Sequence, residues 1–127
     1  MDSAAALLTA IVSRLSGVCG GRVYGAPQPN ATYPYAMVTA QSEPFSADDF
    51  SGMSHNIRVQ VFSRQKKPGE ALAERKTAYT ALHRQEDAIT VTGHTLVSIE
   101  QDGVADCFIE DDGKTWQAIM EFKAVVV

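Results

Sequence analysis

The chain has two cysteines, one tryptophan, three histidines and no excess of positive charge, and each scarcity excludes something. Cys19 and Cys107 lie far apart, with no Cys-x-x-Cys and no Cys/His ligand spacing, so they read as two buried free thiols. His55, His83 and His94 are isolated from one another, with no His-x-His or His-Glu-x-x-His, which argues against a histidine metal site. There is no Gly-x-Ser-x-Gly elbow from which a hydrolase triad could be read by motif. A net charge of −4 and a pI near 5.2 remove any bulk pull toward nucleic acid or anionic membrane. The apolar patch in "MDSAAALLTAIVSR" is too short to span a bilayer, and Asp2 sits where a signal peptide needs basic charge. The expectation is a soluble protein of a reducing compartment, with no membrane partner and no cofactor. "NAT" at Asn30 fits a glycosylation sequon but has no meaning without secretion.

What is present is an ordinary globular composition, 45% hydrophobic and 20% charged. A chain of 127 residues fits one domain, 1–127, with a real core. No repeat, low-complexity run or domain boundary interrupts it. Leu7, Leu8, Ile11, Val12 and Leu15 recur at helical spacing, with Asp2 or Ser3 as N-cap and Gly17 as the stop. A Gly- and Pro-rich connection follows. "YPYAMVTAQ" alternates as a strand, Tyr35, Met37 and Thr39 on one face and Ala36, Val38 and Ala40 on the other. Ser42 to Ser54 has no sustained period and reads as a long exposed loop holding Phe45 and Phe50. In "HNIRVQVFS", Ile57, Val59 and Val61 share a face, with His55 the exception. Pro68 suits the first turn of a second helix, whose inner stripe is Ala71, Leu72, Arg75, Ala78, Tyr79 and Leu82. The rest is strand-like: "AITV", "HTLVSIE", "VADCFIE" and "TWQAIMEFKAVVV". The predicted class is α+β, a mainly antiparallel or mixed β-sheet with two helices packed on it.

One stretch, "IEDDGKTW" from Ile109 to Trp116, has to be placed before chemistry is ruled out. A phosphate loop needs a second glycine five residues before Gly113, and Phe108 stands there. A calcium loop needs alternating acids, whereas Glu110, Asp111 and Asp112 are consecutive. A hairpin fits both turn and register. Asp112-Gly113 as a two-residue turn sets Asp111 opposite Lys114, Ile109 opposite Trp116, Cys107 opposite Ala118 and Ala105 opposite Met120. The apolar pairs make Trp116 a core anchor, with Ile109, Met120 and Phe122 its buried companions. "SRQKK", Ser63 to Lys67, could touch phosphate but reads as a solvated basic loop. An enzyme would have to assemble its site from scattered residues such as His94 and Asp106.

Charge is unevenly placed. Seven basic residues and two acids lie between Arg58 and Arg84; seven acids and one base lie between Glu100 and Glu121. Such polarity suits a heterologous, head-to-tail contact between copies. With the amphipathic first helix, "GGRVYGAPQPNATYPYAMV", a basic helix ending in "ALHRQ", "VTGHTLVSIE", a "DDGKTW" hairpin and "AIMEFKAVV", the chain resembles the small tail-completion, or tail-terminator, proteins of long-tailed phages and gene transfer agents. The likeness covers nearly the whole length, apart from the residues between Gln41 and Ser54.

The resemblance implies a structural virion protein of the tail and neck, assembled in the host cytoplasm. It would form a ring of six that caps the tail tube protein and meets the head–tail connector protein, DNA passing through the lumen without specific binding. On that reading Phe45 and Phe50 belong to a docking segment covered in the assembly. The basic helix, with Arg75, Lys76 and Arg84, would face a neighbour or the outside and Glu110, Asp111 and Asp112 the lumen; the alternative is that acidic strands and basic helix meet across the subunit contact, leaving a neutral lumen. The competing assignments are a head-completion protein one layer further up and the scattered-site enzyme.

Overall fold

The computed structural model describes residues 2–26, 28–47, 50–103 and 105–127, and for 45–47, 50 and 51 the backbone alone. Helix α1 (Ala4–Arg14) is followed by a short 3-10 turn, strand β1 (Val23–Tyr24), the long strands β2 (Tyr35–Ala47) and β3 (Phe50–Ser63), and helix α2 (Gly69–Leu82). Strands β4 (Leu96–Gln101), β5 (Asp106–Ile109) and β6 (Trp116–Val126) complete the chain. The sheet runs β1-β2-β3-β6-β4, with β5 pairing the early half of β6. β1 lies parallel to β2, and the other pairings are antiparallel. The class is α+β, as the sequence predicts.

Alternation decides which side is covered. Val38, Val59 and Met120 form one cross-strand row, and Ile57 and Phe122 are paired in another; all five are buried. Leu7, Ile11 and Leu15 of the first helical segment and Ala71, Ala78 and Leu82 of α2 complete that core, so both helices cover the same sheet face. Leu72, expected in the inner stripe of α2, is instead 36% exposed. Pro68 stands at the N-cap, its carbonyl accepting from Leu72 N–H. At the start of α1, Ser3 occupies the N-cap position, but it is Asp2 whose carboxylate accepts from Ala4 N–H at 2.9 Å. The helix ends with Arg14, before Gly17.

Three expectations are corrected. The described residues of the Ser42 to Ser54 stretch, 42–47 and 50–54, are strand and not loop: the β2–β3 ladder runs from Tyr35↔Phe62 to Ala47↔Phe50. Beyond Met53↔Val126 the partner strand β6 has ended, so the last part of the hairpin projects as a two-stranded arm. It shows no apolar period because no third layer there imposes one. "AITV" is not a sheet strand either. A 3-10 turn at Glu86–Ala88 leads into an extended segment whose Ile89 and Val91 are buried, with no ladder partner among the described residues. Finally, the turn between β5 and β6 is wider than two residues. Gly113 N–H donates to Glu110 C=O at 2.9 Å and Glu110 N–H to Thr115 C=O at 2.8 Å, leaving Asp111–Lys114 as the loop. Gly113 takes φ +68°, which glycine adopts at little cost. Asp111 and Lys114 are therefore loop residues rather than a ladder pair. Widening the turn by one residue on each side leaves outer pairs unchanged, so Ile109↔Trp116 and Cys107↔Ala118 hold.

Candidate assembly surfaces

The arm has a built base. His55, fully buried, is held from both ring nitrogens: Ser3 Oγ lies 2.9 Å from Nε2 and Ser42 Oγ 2.6 Å from Nδ1. Far from being an exception, it continues the buried face of Ile57 and Val59 toward the arm. Burial pushes its imidazole below the ordinary histidine range; Asp2 opposes this and His94 adds to it. A neutral ring can donate from one nitrogen and accept at the other, and the two hydroxyls satisfy both roles. Ser3 N–H also approaches Met53 Sδ at 3.4 Å, so the start of α1 is tied to the arm twice. On the other side, Gly52 lies against the end of β6, where any Cβ would collide with Val126 C=O. Val127 and Thr95 exchange two backbone hydrogen bonds of 2.9 Å beside it. The base is thus fixed on two sides.

The sheet face away from the helices carries cross-strand rows read directly from the register. Tyr35, Phe62, Gln117 and Phe108 form an aromatic row at one end. Tyr35 stacks on Phe62 with centroids 4.9 Å apart, and Tyr33 packs edge-on to Tyr35 at 5.2 Å. The next row mixes Met37 and Ile119 with Gln60 and Asp106, and the row after it, Thr39, Arg58 and Glu121, is polar. Gln60 Nε2 donates to Gln117 Oε1 at 3.3 Å, and Arg58 meets Glu121 at 3.5 Å. That ion pair is half-exposed, so its stabilisation is small.

The residues singled out from the sequence fall in different places. The side chains of Phe45 and Phe50 lie outside the described residues, though their backbones belong to the arm. Lys76 is exposed on α2, while Arg75 reaches across to β5, donating from Nη1 to Asp106 C=O at 2.7 Å. Arg84 is not on the helix: it follows the end of α2 at φ +57°, its N–H donating to Ile99 C=O at 2.8 Å. The basic helix and β5 are therefore in contact within one chain at Arg75. Glu110 accepts from Gln117 Nε2 at 3.1 Å on the open side, and Asp111 is exposed. Asp112 builds the turn. Its carboxylate accepts from Lys114 N–H (2.8 Å), Thr115 N–H (2.9 Å) and Thr115 Oγ1–H (2.7 Å), which hold its pKa down to about 2. Met120 and Phe122 are core residues. Trp116 is half-buried against the core, and Ile109, expected to be buried with it, is 44% exposed. Their pairing is as read; β5 lies at the sheet's edge, where no helix covers Ile109.

His94 and Asp106 are not brought together. Asp106 pairs with Ile119, whereas His94 adjoins Thr95 and the Val127 end of β6, roughly 25 Å away at strand rise. No cluster of three or more potential metal ligands occurs among the described residues, and no described helix is long and apolar enough to cross a membrane. Cys19 is buried, its thiol pushed up to about 12 by burial and Glu74, which suits an inert core cysteine. The Ser3–His55–Ser42 contact escaped sequence reasoning because its members are 52 and 13 residues apart, a separation only the fold can close.

The described residues thus form a sheet covered on one side, with a projecting arm on a fixed base and an open face that is aromatic at one end and polar beyond it. The profile of the tail completion protein gp17 family matches residues 4–127, and the chain belongs to that family. It is accordingly a structural tail component of a virion and not an enzyme. The fold is shared with a chain in a solved structure titled "Virion of native gene transfer agent (GTA) particle": TM-score 0.83 at 19% identity, covering 97% of this chain and 96% of that one. No curated protein matches the sequence at a significant level.

Proposed function

We propose that this protein closes the tail as a homo-hexameric ring seated on the tail tube protein and joins it to the head–tail connector protein, with DNA passing through the lumen unbound. The observation that carries the reading is the family match over residues 4–127. The geometry supports it: the two ends of β3 present different surfaces, as head-to-tail closure requires. Phe45 and Phe50 belong by backbone to the projecting arm, and we assign them to a docking segment that the assembly covers. With Asp112 consumed by its own turn, Glu110 and Asp111 supply the acid of the hairpin tip, and we place them at the lumen, where negative charge repels phosphate.

The test is in-vitro joining. Tails lacking this protein should join heads only when it is added, and negative-stain images of the capped tail should show a six-fold ring. Replacing Phe45 and Phe50 with Ser should leave the melting curve unchanged and abolish joining. Restored joining without a ring, or full joining by that double variant, would sink the proposal in its present form. For the lumen, the capped ring should not retain duplex DNA. Glu110→Lys with Asp111→Lys should retain it in a salt-sensitive way, since cations hold phosphate by counterion release.

A further inference from the structure

A cleft of about 260 Å³ opens beside the β5–β6 hairpin, at the end of the sheet opposite the arm. Trp116 and the exposed Ile109 give it an apolar lining, and Arg64, Lys66 and Lys114 surround that lining with positive charge. No carboxylate lines it among the described residues. Asp112 is turned back onto Lys114 and Thr115, and Glu110 is bound to Gln117. Arg64 is pre-positioned: its guanidinium lies 4.4 Å from the Tyr33 ring centre and Nε donates to Thr115 Oγ1 at 3.2 Å. Trp116 Nε1 is the one buried side-chain polar atom without a hydrogen-bond partner among the described residues. That nitrogen is closed off from solvent and is no part of the open surface; the cleft itself lacks an apolar cover and a negative partner.

The sequence of the arm supplies both. Phe45 and Phe50 flank Asp48 and Asp49, with no basic residue between Glu43 and Met53. The arm cannot reach its own cleft. Phe50 begins β3 and Ser63, beside Arg64, ends it, so the paired strand holds them roughly 45 Å apart at about 3.3 Å per residue. Only another copy can bring the two together, and a contact between opposite ends is heterologous.

We propose that the apolar and acidic end of the arm, Phe45 to Phe50, docks in the Trp116 cleft of a second copy. The inference rests on the ring reading above and names the contact that closes it. It departs from the charge polarity seen in the sequence: the acids are Asp48 and Asp49 rather than those of Glu100–Glu121, and the bases are on the loop after β3 and at Lys114 rather than on α2.

The experiment is charge exchange on the full chain, read by sedimentation velocity, with melting curves confirming that each variant is folded. Asp48→Lys with Asp49→Lys should weaken self-association by at least about tenfold, as should Lys66→Glu with Lys114→Glu, in line with measured couplings of close interfacial charge pairs. An equimolar mixture of the two variants should recover association, because each variant's arm then matches the other's cleft. Unchanged association in either variant, or a mixture no better than its components, overturns the docking. So does a wild-type chain that remains monomeric at every concentration, or one whose arm is covered only by a different virion protein. The tail-completion reading is judged separately, by joining.

Discussion

Phe122→Ala tests the core register most directly. Phe122 is fully buried on β6, paired with Ile57 of β3 and Gln101 of β4, and it lies on the face that both helices cover. Removing the ring deletes its burial and leaves a cavity that neighbours on three strands cannot all move to fill. The expected loss is about 3–5 kcal/mol, a large share of the roughly 5–15 kcal/mol that holds a domain folded. With an unfolding entropy of roughly 2.1 cal/mol/K per residue over 127 residues, the melting temperature should fall by roughly 10–20 °C. Ile109→Ala, on the same sheet face but 44% exposed, should lose less than about 1 kcal/mol. Trp116→Ala should fall between them, its half-buried ring removing less surface from water than a core aromatic. Circular dichroism melts and urea titrations with unchanged m-values give the three losses. A cost for Ile109→Ala equal to that of Phe122→Ala would refute the assignment of burial along this face.

Two pH-linked predictions follow from named groups. Asp112 is held at about 2 against an ordinary 3.8, so its stabilisation is present above about pH 3.8 and is lost as pH falls through its folded value; Asp112→Ala should flatten the acid limb of stability between about pH 4 and 2, which acid melts will show. His55 is lowered from 6.5, so the folded state resists a proton that the unfolded state accepts: stability should decline as pH drops below about 6.5, and His55→Gln should remove that decline while loosening the arm in hydrogen exchange. An unaltered pH profile in either variant would show that the group named is not responsible.

The elements that bury one face were legible from residue order, because burial writes a period into sequence. Ile57, Val59 and Val61 could be placed by alternation, and the first helix by its leucine and isoleucine spacing. The β5–β6 register was equally readable, even with the turn misjudged, since Asp-Gly and the apolar pairs constrain the same offset. Tertiary structure alone decided the rest. The arm was invisible because backbone pairing without a covering layer asks nothing of side-chain order. Ile109 came out exposed because a residue's face is set by its register, but its burial is set by what packs on that face. His55 became the arm's anchor, and the cleft of Arg64, Lys66 and Lys114 took shape, because folding brought together side chains that the chain itself keeps roughly fifty residues apart.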